Sequence, residues 1–145
     1  MKADMVFQKE YLKKIFEYVK RCQESAKAPI TGTKVGAVAL AFKKNGEAEL
    51  FGGFNVELSI SYVYHAEECA MMHCIYKGYK PEIIFCTSKS KEERIAMCGN
   101  CRQKLLDANP ECHFVIFDPD GEIKIMGKIK EYMIDNKSWG KLKFE

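Results

Sequence analysis

The amino-acid sequence predicts an α/β fold in which helices cover both faces of a mixed five-stranded sheet, giving three α-β-α layers. Hydrophobic periodicity along the 145 residues gives the element order α-β-β-α-β-α-β-β-α. Two strand–helix–strand units lie in the middle, and such crossovers predict parallel neighbouring strands. About three residues separate the last two strands, which is too few for a crossover, so the final strand should be antiparallel. We expect one domain, residues 1–145.

Each element in the first half of the chain has a local signal. Residues 7–22 carry apolar side chains at helical spacing among Lys and Glu, which predicts an amphipathic helix. The apolar run Val35–Phe42 predicts a buried strand. The Asn-Gly pair at 45–46 predicts a hairpin into a second strand, Ala48–Phe54. The stretch Val56–Tyr64 is irregular and rich in Ser and Tyr.

The second half alternates between helices and strands. A helix is predicted to start at His65 and to run to Lys77, because Gly78 is a stop signal. The elements predicted after it are a strand Ile83–Ser88, a charged loop Lys89–Arg94, a helix Cys98–Ala108, strands His113–Asp118 and Glu122–Ile125, a helical segment Ile129–Ile134, and a polar tail containing Trp139.

The composition excludes several classes of protein. With 47% apolar and 30% charged residues, the chain has an ordinary globular composition, and no apolar run is long enough to predict a membrane span. The net charge of +3 comes from interleaved acidic and basic residues, so a polynucleotide partner is not predicted. Seven cysteines without a secretory signal predict a reduced, cytoplasmic protein, in which metal binding is favoured over disulfides.

Two short motifs carry the chemistry: His65-Ala66-Glu67 and, thirty-three residues after His65, the Cys98-x-x-Cys101 pair. One imidazole and two thiolates form the three-ligand set of a catalytic zinc, which keeps its fourth position open. Cys98 and Cys101 are three residues apart, so in a helical first turn they project from one face. Glu67 can lie beside the open position and move protons, while the zinc lowers the pKa of a water molecule to about 7.

Each motif also has a plainer interpretation. A Cys-x-x-Cys pair alone is as typical of a redox pair or half of a zinc knuckle, and the upstream His-Ala-Glu is what favours a catalytic zinc. His73 and His113 have no partner spacing, so structural or surface roles are expected. The other cysteines are expected to behave as small apolar residues: Cys22, Cys69, Cys74, Cys86 and Cys112.

The sequence around these motifs resembles the cytidine deaminase family, within the zinc deaminase superfamily. The resemblance covers most of the chain: the N-terminal helix, Val-Gly-Ala at 35–37, Asn-x-Glu at 55–57, both metal motifs and the closing strand. The form Cys-Gly-x-Cys-Arg-Gln at 98–103 is similar to the cytidine and blasticidin S deaminase branch. The resemblance implies a cytidine deaminase-like fold.

The resemblance also implies how a substrate is held. Asn55 and Glu57 would bind the hydroxyls of a ribose, and Ala66 would contact the substrate. Several features differ from the family pattern. Thr33 stands where an aromatic residue usually stacks on the pyrimidine, and Met97 stands where Pro usually precedes the first Cys. Leu58-Ser59 replaces the usual Asn-Ala, the loop from Asn55 to His65 is one residue short, and the first ligand is His where many short members have Cys. These differences bear on which substrate is expected, because they remove neither a zinc ligand nor Glu67.

The function expected from the sequence is zinc-dependent hydrolytic deamination of cytidine or deoxycytidine to the uridine product, with release of ammonia. Two alternatives remain: an aminohydrolase acting on a related aminated base such as a blasticidin S-like antibiotic, and a zinc-stabilised nucleoside-binding scaffold without turnover. The expected partners are a small nucleoside and Zn²⁺, with no polynucleotide and no membrane. The resemblance implies a homo-oligomer, a tetramer or a dimer.

Overall fold

The computed structural model of the protein describes residues 3–87, 97–133 and residue 144. The helices are α1 Ala3–Val6, α2 Lys9–Ser25, α3 Ala66–Tyr76, α4 Gly99–Ala108 and a 3₁₀ helix Ile129–Tyr132. The strands are β1 Gly36–Phe42, β2 Ala48–Phe54, β3 Val56–Glu57, β4 Val63–Tyr64, β5 Ile83–Thr87, β6 His113–Phe117 and β7 Ile123–Lys128.

Five strands form one mixed sheet in the order β2-β1-β5-β6-β7. Strands β5 and β6 are parallel, and the other neighbouring pairs are antiparallel, including the final pair β6 and β7. The mixed five-stranded sheet and its antiparallel last strand are therefore confirmed. Strands β3 and β4 form a separate two-stranded ribbon within the stretch predicted to be irregular.

The expectation that both crossovers join neighbouring strands is wrong for the first of them. The connection through α4 does join the parallel neighbours β5 and β6, but β1 lies between β2 and β5. The physical reason is that the hairpin occupies one edge of β1 and leaves its other edge open. Helix α3 packs over both β1 and β2, so it carries the chain across β1 to that open edge.

The core lies on both faces of the sheet, because successive side chains of a strand point to opposite faces. Along β1, Ala37, Ala39 and Ala41 face the cluster formed with α3 and α4. Val38 and Leu40 face the other cluster, which α2 covers. The α3 side of β1 is thus lined by small residues, which lets the helix that carries the first functional motif lie close to the sheet.

At Gly53 on β2 the backbones of the sheet and of α3 come close together. A Cβ atom built at this position would lie 2.2 Å from the backbone nitrogen of Ala70 and 2.6 Å from the carbonyl oxygen of Ala66. No side chain fits in this space. Glycine here is required by the closeness of the two backbones, and this contact places the start of α3.

Most predicted element bounds agree with the structure to within a few residues. The last strand is longer than predicted, since β7 continues to Lys128, and the final helical segment is a 3₁₀ helix ending at Tyr132. The predicted charged loop Lys89–Arg94 and the tail with Trp139 lie outside the described residues. Within the described ranges, none of the helices is long and apolar enough to cross a membrane.

Replacing Gly53 with Ala should destabilise the protein by about 1–3 kcal/mol or more, because the added methyl group must push α3 away from the sheet. The free energy of unfolding, measured by urea denaturation, checks this. Gly99→Ala is the matched control, since the nearest atom to its added Cβ is Arg102 Nη2 at 3.8 Å, and it should change stability by less than about 0.5 kcal/mol. Equal effects of the two substitutions would contradict the close-packing argument.

Candidate active site

The His and Cys-x-x-Cys motifs lie at the N-terminal ends of two helices. His65 is the residue immediately before α3, and Cys98 is the residue immediately before α4. Cys101 lies in the first turn of α4 and is buried. The free N–H groups and partial positive charge of a helix N-terminus favour anionic ligands such as thiolates. Both motifs therefore open helices, as predicted.

The structure brings the three predicted ligands together. The candidate ligand atoms of His65, Cys98 and Cys101 all lie within 4.8 Å of one another. Cys98 Sγ is 3.3 Å from His65 Nδ1. Tetrahedral zinc with ordinary Zn–N and Zn–S bond lengths separates its ligand atoms by about 3.5–4 Å. One nitrogen and two sulfur donors at this spacing fit zinc in both chemistry and size.

Burial raises the pKa of several thiol groups at and around the site. Burial first, and then the nearby charges of Glu67 and Cys98, raise the pKa of Cys101. A bound divalent cation reverses this effect, because a coordinating thiol loses its proton. All seven cysteines are free. Burial also raises the pKa of the remaining thiols, which supports their expected inert role: Cys22, Cys69, Cys74, Cys86 and Cys112.

Glu67 is the buried acid of the site. It lies in the first turn of α3, and its residue is 9% exposed. Burial is the main cause that raises its pKa above the ordinary value, against the lowering effects of its own backbone amide and of His65. A carboxyl group with a raised pKa beside a cluster of potential ligands is suited to accept and return a proton near neutral pH.

A cavity of about 380 Å³ opens onto His65, Glu67 and Cys98. Of the predicted site residues, Cys101 alone is absent from its lining. The described lining consists of Thr31, Thr33, Val35, Asn55, Glu57, Val63, His65, Ala66, Glu67, Met97 and Cys98. Thr33 and Met97, two of the residues that differ from the family pattern, thus face the cavity, where a change of side chain alters the space available to a ligand.

Asn55 and Glu57 reach the cavity at the end of β2 and in β3, and both are buried. Their polar atoms bind the backbone of the loop before β1. Asn55 Oδ1 accepts a hydrogen bond from the Val35 amide at 2.8 Å, and Asn55 Nδ2 donates to the Thr33 carbonyl at 2.7 Å. This amide group therefore holds one wall of the cavity in place.

Glu57 binds the same loop further upstream. Its Oε2 accepts from the amides of Ile30, at 2.7 Å, and Thr31, at 3.0 Å, while its Oε1 accepts from the Thr31 hydroxyl. The hydroxyl bond, aided by the two amides, holds the pKa of Glu57 below its ordinary value despite the opposing effect of desolvation. The carboxylate is thus an anion that organises the loop at the cavity.

Two features of the site were missed by reasoning from the sequence. Thr31, whose hydroxyl binds Glu57, had no signal beyond its position in a Pro/Gly-containing loop. Glu68 accepts a hydrogen bond from the His65 amide and pairs with Lys104 of α4. The spacing of Glu68, three residues after the helix-opening His65, is that of a capping box and could have revealed the first contact.

A five-stranded mixed sheet that holds His, Cys and Cys beside a buried Glu has the arrangement of the zinc deaminases. The family model described as "Cytidine and deoxycytidylate deaminase zinc-binding region" matches residues 9–116, and the chain belongs to this family. The described residues of the match contain both motifs and the whole cavity lining. Membership of this family makes the chain a deaminase, and so a hydrolase.

Solved structures support the same fold. Cytidine deaminase from Burkholderia pseudomallei is 26% identical, with a TM-score of 0.73 over 85% of this chain and 96% of that chain. Cytidine deaminase from Mycobacterium tuberculosis is 20% identical, with a TM-score of 0.61 over 88% of this chain and 96% of that chain. A dCMP deaminase from cyanophage S-TIM5 is 18% identical, with a TM-score of 0.56 over 79% and 89% of the two chains. At 20% and 18% identity, the last two similarities concern the fold alone.

Replacing Glu57 with Gln should loosen the loop before β1, because an amide group cannot accept all the bonds that the carboxylate accepts. Hydrogen exchange measured by NMR should become about tenfold faster or more at the Ile30 and Thr31 amides. The Val35 amide, which binds Asn55, should change by less than about twofold, and it serves as the internal control. Unchanged exchange at the Ile30 and Thr31 amides would show that the Glu57 carboxylate does not hold the loop before β1 in place.

Proposed function

We propose that the chain catalyses the hydrolytic deamination of cytidine or deoxycytidine to uridine or deoxyuridine, releasing ammonia, with zinc held by His65, Cys98 and Cys101. The observation that carries this proposal is the position of the buried Glu67 beside the three-ligand cluster, on a cavity that His65 and Cys98 also line. Family membership supports the reaction class, and the donor set supports the metal.

Zinc bound by these three side chains would supply a water molecule with a pKa lowered toward neutrality, which is the nucleophile that the reaction requires. Glu67 then has the proton-transfer role. Its carboxylate would accept a proton from the attacking water and deliver it to the ring nitrogen, and would then carry the remaining proton of the new hydroxyl group to the amine, which leaves as ammonia. Desolvation of Glu67 supports this role, since it raises the pKa of the carboxyl group toward the working pH.

The cavity supports a nucleoside over a nucleotide as substrate. Glu57, an anion with a lowered pKa, lies in the cavity lining and would repel a phosphate. In this proposal Glu57 and Asn55 face the sugar and Ala66 contacts the base, so the sugar contacts orient the amine-bearing carbon toward the metal.

Two residues of the cavity lining bear on the preferred base. Thr33 and Met97 line the cavity where the family pattern has an aromatic residue and a proline. These two positions favour, as the second candidate, an aminohydrolase for a related aminated base such as a blasticidin S-like antibiotic. Glu67 argues against a scaffold without turnover, because burying a carboxyl group in a structural metal site costs stability without adding a ligand.

The proposal extends to the context of the protein. The chain is proposed to be a single domain that acts in the cytoplasm as a homo-oligomer, a dimer or a tetramer, with no polynucleotide partner. The free cysteines support a reducing compartment. Exposed apolar side chains beside the cavity support self-association, since Leu58, Ile60 and Tyr62 are 68%, 87% and 67% exposed.

Elemental analysis of the purified protein should find one zinc per chain. Cys98→Ala and Cys101→Ala should each lose most of this zinc, because two ligands hold the metal far more weakly than three. Cys69→Ala is the matched control, since Cys69 lies on α3 outside the cluster, and it should keep the wild-type zinc content. Full zinc retention in both ligand variants would overturn the metal assignment.

Glu67→Gln should lower kcat by about 10²–10⁴-fold, since it keeps the shape of the side chain but removes the proton acceptor. Loss of ultraviolet absorbance and release of ammonia would be followed with cytidine, deoxycytidine, dCMP and free cytosine. Zinc content measured on the same preparation controls for metal loss. A variant that turns over at the wild-type rate would refute the role of Glu67, and a zinc-loaded wild type that is inactive on every aminated base would refute the proposed enzyme.

A further inference from the structure

Glu68 connects the two helices that carry the cluster. Its Oε2 accepts a hydrogen bond from the backbone amide of His65 at 3.3 Å. Its Oε1 forms an ion pair with Nζ of Lys104 on α4. A single carboxylate thus contacts the backbone of one predicted ligand and a side chain of the helix that carries the other two. None of the roles proposed above uses this pair.

The two partners have matching positions relative to the ligands. Glu68 lies three residues after His65, and Lys104 lies three residues after Cys101. Because one helical turn contains 3.6 residues, each partner lies about one turn along its helix from a ligand, Glu68 from His65 and Lys104 from Cys101. The ion pair therefore crosses between α3 and α4 near the level of the cluster, where a change in helix separation alters the distance between His65 and the two sulfur atoms.

The surroundings strengthen this pair relative to an ordinary surface ion pair. The Glu68 side chain is 16% exposed and the Lys104 side chain 38% exposed. Partial removal from water strengthens the attraction between the two charges. The carboxylate also lies at the N-terminal end of α3, where the helix dipole favours a negative charge.

From this geometry we infer that the Glu68–Lys104 pair is a positioning device that holds His65 at metal-binding distance from Cys98 and Cys101. The inference rests on the proposed zinc site. Glu68 and Lys104 are positioning residues, because both act through the ligands and neither is a ligand. A device of this kind organises the ligands before the metal binds, so its loss weakens zinc binding and alters the ligand geometry around the metal.

The test compares Lys104→Met, which removes the pair, with Lys104→Arg, which keeps the positive charge. Lys43→Met is the matched control, since Lys43 pairs with Glu49 at 2.8 Å and the two side chains are 37% and 39% exposed. Zinc affinity is measured by competition with a chromophoric chelator. The visible spectrum of the Co²⁺-substituted protein reports the ligand geometry, and thermal unfolding of the metal-free protein reports general stability.

Lys104→Met should raise the zinc dissociation constant about three- to tenfold and shift the Co²⁺ absorption bands. Lys104→Arg and Lys43→Met should stay within about twofold of wild type, with unchanged spectra. The metal-free Lys104→Met and Lys43→Met proteins should unfold at similar temperatures. A double-mutant cycle with Glu68→Gln should be non-additive, because Lys104→Met has no charged partner to lose once Glu68 is neutral.

The outcomes separate this inference from the proposed function. A Lys104→Met protein with wild-type zinc affinity and an unchanged Co²⁺ spectrum overturns the positioning role, even if the wild type is an active zinc deaminase. Equal weakening of zinc binding in Lys43→Met also overturns it, because the effect would then be general. A wild type that binds zinc without deaminating any base refutes the enzyme alone. A wild type that binds no zinc refutes both.

Discussion

Helix α3 packs so closely on β2 that the backbone of Ala66 and Ala70 occupies the space where a side chain at position 53 would lie. The small residues of β1 extend this close contact across the sheet. Because α3 begins at Ala66, the contact also fixes the position of the residue just before it, His65. The location of the candidate active site thus depends on a close contact between the backbones of β2 and α3.

The electrostatics of the site follow from where the two helices begin. Each helix presents free N–H groups and a partial positive charge to the cluster, which offsets the charge of thiolates. The same low exposure that raises the pKa of Glu67 also raises that of Cys101. Water exclusion therefore has two consequences here: it favours a proton-carrying carboxyl group, and it makes the buried thiol depend on a cation or a helix end to ionise.

Local sequence signals were sufficient to predict the helices and strands, but not which strands lie side by side in the sheet. The Asn-Gly turn predicted β2 at its observed bounds, and Gly78, with φ +85°, follows α3 as predicted. The antiparallel last strand followed from the length of its turn. The position of β5 beside β1 was not predictable from these signals, because which edge of β1 remains open depends on how α3 lies across the sheet. The length of β7 depends likewise on pairing with β6.

The sequence by itself determined the chemical identity of the site: one imidazole, two thiols three residues apart and an acid two residues after the imidazole. These relations are local, so helical geometry alone places the two cysteines on one face. Only the tertiary structure decided that the imidazole and the two thiols meet within 4.8 Å, that Glu57 organises the loop beside the cavity, and that Glu68 pairs with Lys104. The contacts of His65 with Cys98, of Thr31 with Glu57 and of Glu68 with Lys104 join residues at least 26 positions apart. Distances of that kind are set by packing rather than by spacing along the chain.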